Sequence, residues 1–230
     1  DGVQAEYARI PFADLSTHRL SERIDDETAV LLADILPTSY EVGVRNGRVA
    51  PGDTVAIVGM GPIGLAAVLT ARLFSPAHIV AIDKAPPRLA AGRELGADVA
   101  VDPDADPVEV VRSLTDGLGA DVAIEAVGVP ETFELCTRLV RPGGRVANVG
   151  VHGRPATLHL EELWIRDITV TTGLVDTFTT PTLLRMVEAG RLELGRMVTH
   201  RFALDEFMTA YDVFADAART GALKVVLSRG

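Results

Sequence analysis

The chain has 230 residues, 47% hydrophobic and 23% charged, which is enough apolar material for one large domain or for one domain and part of another. Its 32 acidic residues outnumber 22 basic ones, and the net charge of −10 is spread along the chain; this opposes a nucleic-acid partner and gives no reason for adsorption on an anionic membrane. No apolar run approaches the roughly 20 residues of a bilayer span, and a single cysteine, Cys136, excludes an intrachain disulfide and fits a reducing, cytoplasmic setting.

The opening "DGVQAEYARIPF" carries neither an initiator Met nor a secretory signal, and reads as the start of a processed or excised chain. Residues 6–12 and 18–20 read as short strand pieces. The stretch "RIDDETAVLLADILPTSYEVGVRNGR" then reads as two helices. Asp25 or Asp26 suits the first N-cap, and Glu27 lies in the first turn where the helix dipole favours an acid. Pro37 can start the second helix and Gly47 can stop it. Asp34 is the odd residue, a carboxylate in the middle of an apolar run.

From residue 54 the pattern alternates. Strand 54–60 leads to helix 62–73, strand 78–83 to helix 86–95, and strand 98–102 to helix 106–115. Strand 121–128 leads to helix 130–140, and strand 144–150 follows. The remaining elements are strand 168–175, helix 181–190, strand 197–202, helix 205–218 and strand 222–228. The strand cores are continuous apolar runs, as in parallel strands buried on both faces. This alternation predicts an α/β fold with a doubly wound parallel sheet, the Rossmann arrangement.

"VAIVGMGPIGLAAVLTA" holds Gly59-Met60-Gly61-Pro62-Ile63-Gly64 directly after a buried strand and at the start of a helix. Such spacing allows a tight turn at Gly59, close approach of a pyrophosphate at Gly61, and close helix–strand packing at Gly64. Pro62 and Ile63 open the helix whose free N–H groups would face the phosphates. Asp83 ends the next strand, nineteen positions after Gly64, where an acid can accept both ribose hydroxyls and repel a 2′-phosphate. NAD is therefore expected over NADP, with Lys84 and Arg88 as the residues that would serve a phosphate instead. A methyltransferase that binds adenosyl-methionine also uses a glycine turn and an acid, but the full glycine spacing and the sixth strand–helix pair argue against it.

Along its whole length the chain resembles the medium-chain dehydrogenase/reductase family, in particular its zinc-dependent alcohol dehydrogenases. The resemblance rests on "GVQAEYARIPFAD", "DILPT", "PGDTVAIVGMGPIGLAA", "ELGADVAVD", "VRPGGRVANVG", "VTHRF" and "ALKVVL" in that order. It implies a zinc- and nicotinamide-dependent oxidoreductase that passes hydride between NAD(H) and an alcohol, aldehyde or ketone. In one branch of the family the position of Asp34 is a ligand of the catalytic zinc; the plainer reading is a helix-end carboxylate. The resemblance also implies that Thr38 faces the nicotinamide ring and that Gly128 lies near its ribose. Gly150, Val151, Gly173, Leu174 and Val175 would line the carboxamide, and Lys224 would reach the pyrophosphate or simply be solvated. His18, His152 and His200 read as structural.

The family's N-terminal catalytic domain supplies a zinc-binding cysteine, a "GHE" motif and a proton relay, none of which occurs here. The resemblance therefore divides the chain into residues 1–35, a remnant of a β-rich GroES-like domain, a cofactor-binding domain over 36–192, and a returning segment over 193–230. Zn²⁺ would need further ligands from outside these residues. A homodimer or homotetramer is expected through the strand at 168–175. Two other readings stand beside this one: a dinucleotide-binding module without chemistry, and a zinc-free oxidoreductase of the quinone-reductase type, against which Asp34 argues.

Overall fold

The turn at Pro51–Gly52 delivers the chain into a run of five buried residues, Thr54–Val58, and this strand (β1) lies at the centre of a sheet. The computed structural model describes residues 4–229, so the first residues of "GVQAEYARIPFAD" lie outside it. The chain divides into two units, Leu32–Thr180 and the pair of segments Asp1–Leu31 and Pro181–Gly230.

In the unit Leu32–Thr180, β1 is joined by β2 (His78–Ile82), β3 (Val99–Val101), β4 (Ala120–Glu125), β5 (Val140–Asn148) and β6 (Thr169–Thr172). All pairings are parallel and the order is β3-β2-β1-β4-β5-β6. This is the doubly wound order expected from the alternation, with its switch point between β1 and β4. On one face Ala56, Val58, Val80 and Ile82 gather with Val111, Cys136 and Leu139 from helices Pro107–Ser113 and Pro130–Leu139. On the other face Gly43 and Gly47 lie against Ile124 and Val122, and Gly92 lies against Ala81. With helices on both faces, the strands need apolar side chains at nearly every position.

Several expectations change. Pro37 does not start its helix: Ile35–Thr38 already runs through it, and the chain continues as a π-helix over Ser39–Arg45. At the third position of a helix the missing N–H costs nothing, because first-turn donors have no intrahelical partner. Residues 6–12 and 18–20 form no strand; among the described residues up to Ile24 the one regular element is the short helix Ala13–Ser16. An extended segment becomes a strand only when another strand pairs with it, and among the described residues none does so here.

The second unit holds helix Asp26–Leu32, which begins before the cut, helix Phe207–Ala215 and a separate two-stranded parallel sheet. Its strands are β7 (Val198–Ala203) and β8 (Lys224–Ser228). The last two predicted strands therefore do not extend the six-stranded sheet. An exposed ion pair, Glu27 with Arg201, lies within this unit.

Candidate functional site

Because all six strands run the same way, their carboxyl ends share one edge, and the loops that leave that edge carry most of the residues singled out by sequence. At the switch point the loop after β1 packs on the loop after β4, since Gly59 lies against Val127 and the Ala126 carbonyl. The helix Pro62–Ala71 then starts with proline and has no side-chain cap. Its first-turn N–H groups are open to a ligand.

The three glycines of the loop answer to different demands. A Cβ on Gly64 would overlap the Gly59 carbonyl oxygen, so only glycine lets the helix pack this closely. Gly61 has an ordinary backbone, φ −72° and ψ −175°, and a Cβ there would meet nothing within 4 Å. Neither strain nor internal packing requires a glycine at that position; its lack of a side chain leaves open the space in front of the helix N-terminus.

Asp83 holds this loop in place. Its Oδ2 accepts the Met60 N–H at 2.7 Å and its Oδ1 accepts the Ala85 N–H at 2.8 Å. The carboxylate is thus both a strand-end anchor and a partly exposed acceptor, since each oxygen retains a lone pair. Lys84 next to it is exposed, and Arg88 is half-buried with its Nε enclosed and lacking a hydrogen-bond partner.

At the end of β4, Glu125 is fully buried. Its Oε1 accepts from the N–H groups of Val127 and Gly128, both at 2.9 Å, and from the Thr132 hydroxyl at 2.7 Å. The Glu125 backbone carbonyl accepts the N–H groups of Val149 and Gly150. Oε2 has no hydrogen-bond partner and lies 3.7 Å from His152 Nε2, which is 2.9 Å from Asn148 Oδ1. One buried acid therefore binds the loops after β4 and β5 together and brings Gly128, Gly150 and Val151 side by side. Sequence reasoning read His152 as structural and gave Glu125 no role; a charged residue closing an otherwise apolar strand was the available signal.

Ahead of the sheet, Asp34 is exposed and its Oδ1 accepts the Thr38 hydroxyl at 2.7 Å, so this predicted pair is in contact. The Ser39 hydroxyl donates to the Ile63 carbonyl at 2.7 Å and ties the π-helix to the glycine-rich loop. Glu41 escaped sequence reasoning altogether: a buried carboxylate, it accepts hydrogen bonds from the loop that follows β6. Gly173 and Leu174 of that loop are exposed and Val175 is half-buried. Val151 and Leu174 are each 91% exposed, which leaves two apolar side chains open on the loops of this edge. Lys224 lies on β8 in the other unit and is half-buried. Among the described residues no three His, Cys, Asp or Glu side chains gather as a metal site. A catalytic zinc normally takes three protein ligands, so Asp34 cannot hold one unaided.

With this geometry in view, three comparisons are informative. A family model described as zinc-binding dehydrogenase matches residues 62–189. An alcohol dehydrogenase of Cupriavidus necator is 37% identical over 232 residues, covering 99% of this chain and 63% of that protein. Two solved structures, zinc-dependent alcohol dehydrogenase 2 from Streptococcus pneumonia and the alcohol dehydrogenase TADH from Thermus sp. ATN1, each align over 100% of this chain. Their TM-scores are 0.95 and 0.93 and their identities 47% and 37%. The chain spans 66% of each of those structures, slightly less than two thirds of their length.

Proposed function

The chain belongs to the zinc-binding dehydrogenase family, and from that premise we propose that it is the cofactor-binding portion of a nicotinamide-dependent alcohol dehydrogenase. The reaction is hydride transfer between NAD(H) and a small alcohol, aldehyde or ketone. Gly61 carries the reading: it faces open space beside an uncapped helix N-terminus, where a pyrophosphate would sit.

The chain's own residues bind and orient. The loop Gly59–Gly64, with Pro62 and Ile63 opening its helix, receives the phosphates, and Asp83 accepts from the adenosine ribose, which favours NAD over NADP. Lys84 and Arg88 flank that position. Gly128, Gly150 and Val151 face the nicotinamide ribose and carboxamide, joined by Gly173, Leu174 and Val175. When bound, the nicotinamide supplies the carbon that gives or takes the hydride. Asp34 is assigned as one donor to a catalytic zinc whose other ligands lie beyond this chain, with Thr38 holding its carboxylate. The assembly is a homodimer or homotetramer, and the buried free thiol of Cys136 suits a cytoplasmic setting.

The test is NADH titration of the wild type and of Gly61→Ala, with NADPH for comparison. The alanine fits the folded protein, so its melting temperature should match the wild type, while NADH affinity should drop about tenfold, equivalent to about 1.4 kcal/mol. Gly64→Ala is the contrasting control and should lower the melting temperature because its Cβ meets the Gly59 carbonyl. A wild type that ignores NADH, or a Gly61→Ala protein that binds it normally, would sink the assignment.

A further inference from the structure

The loop after β6 is held by a single buried side chain from a distant part of the same unit. Glu41, only 6% exposed, sits in the π-helix Ser39–Arg45. Its Oε1 accepts the Thr179 N–H at 3.0 Å and the Thr179 hydroxyl at 2.6 Å. Its Oε2 accepts the N–H groups of Asp176 at 3.3 Å and Thr177 at 3.2 Å. Four donors thus converge on one carboxylate. The loop also has a local frame: Phe178 N–H donates to Asp176 Oδ1, and Thr177 adopts a left-handed φ of 64°. On the π-helix side the Arg45 guanidinium stacks over the Phe178 ring at 5.1 Å.

A carboxylate removed from water is costly unless its oxygens are fully hydrogen-bonded, and this one is compensated by the loop alone. A π-helical turn is itself uncommon and tends to occur where a side chain must be presented at a functional position. The immediate neighbours of the clamped residues are Gly173, Leu174 and Val175, which leave the carboxyl edge of the sheet, the edge at which doubly wound folds bind their ligands.

We infer that Glu41 is a positioning residue for the nicotinamide end of the cofactor: it fixes the loop 173–179 so that Gly173, Leu174 and Val175 meet the ring, without itself touching cofactor or substrate. The inference rests on the cofactor reading above and adds to it a residue that determines how one half of the dinucleotide is held.

The decisive comparison is Glu41→Gln against wild type, titrated with NADH and separately with ADP-ribose, which lacks the nicotinamide ring. With its NH₂ at the Thr179 site the amide meets one backbone donor, the Thr179 N–H, while the hydroxyl can turn to accept. Turned the other way it meets two, the N–H groups of Asp176 and Thr177, and in either case the charge is gone. NADH affinity should fall at least about tenfold, the size expected for losing hydrogen bonds to a charged group, while ADP-ribose affinity stays at the wild-type value. Thr179→Val removes the hydroxyl donor alone and should shift NADH in the same direction by a smaller factor; it decides the matter if Glu41→Gln does not fold. Equal losses for both probes would make Glu41 a general support of the fold and overturn the inference, as would no loss for either. A wild type that binds ADP-ribose but gains nothing from the ring would overturn the inference and leave the phosphate-loop assignment standing. A wild type that binds neither probe would overturn both.

Discussion

At the scale of single residues, the carboxyl edge of the sheet is organised by acids whose charge is taken up by backbone donors. Asp83 binds Met60 N–H, Glu125 binds Val127 and Gly128 N–H, and Glu41 binds three N–H groups of the loop after β6. Charge-assisted bonds of this kind are the stronger ones in a protein interior, and each here fixes a loop that has no regular hydrogen-bond ladder of its own. Cys136 shows the opposite case, a nucleophile kept silent. It is fully buried, and burial pushes its thiol well above the usual range, with the negative charge of Glu125 adding to the effect. A thiolate is the reactive form. Ellman's reagent should therefore leave the folded protein unmodified and titrate one thiol per chain in denaturant; rapid labelling of the native protein would contradict the burial.

At the scale of elements, helix Asp26–Leu32 owes its start to one cap. Asp25 Oδ1 accepts the Thr28 N–H at 2.7 Å, and this bond holds the Asp25 carboxyl below its ordinary value of 3.8. A lowered folded-state pKa means that the cap contributes fully above the unfolded value and fades as pH falls through the folded one. Asp25→Ala should cost about 1 kcal/mol near neutral pH, and the gap from wild type should close as urea titrations are stepped below pH 3.8. A gap that persists in acid would assign the loss to something other than the charged cap.

The cap illustrates what could be read in advance. Asp25 and Glu27 stand before an apolar run, and signals of that local kind were legible: the six parallel strands, the helix after Gly64, the acid at Asp83. The features that escaped are those for which the decisive partner is far away in sequence. Glu41 reads as an ordinary helix residue until Thr179 is brought beside it, and His152 reads as an ordinary loop residue until Glu125 is. Residues 6–12 were misread for the same reason in reverse, since a strand-like composition means little without a neighbouring strand.

At the scale of the whole molecule, β6 ends the sheet order and offers its outer edge, Thr169–Thr172, to another strand. Just before it Trp164 and Ile165 are 74% and 72% exposed. An edge that no strand pairs among the described residues, beside exposed apolar side chains, is a surface that invites a partner. Self-association through this edge should give a light-scattering mass of at least twice 24.4 kDa, and Trp164→Arg should shift the population toward the single chain. A wild type that stays monomeric at high concentration would remove this edge as an interface.

The clamp at Glu41 also has a meaning in time. It joins residues 138 positions apart, almost the full span of its unit. Contacts between such distant parts of a chain carry the largest loop-closure cost and are slow to form. On that ground the clamp is expected to close late in folding, once the sheet has brought β6 and its loop beside the π-helix.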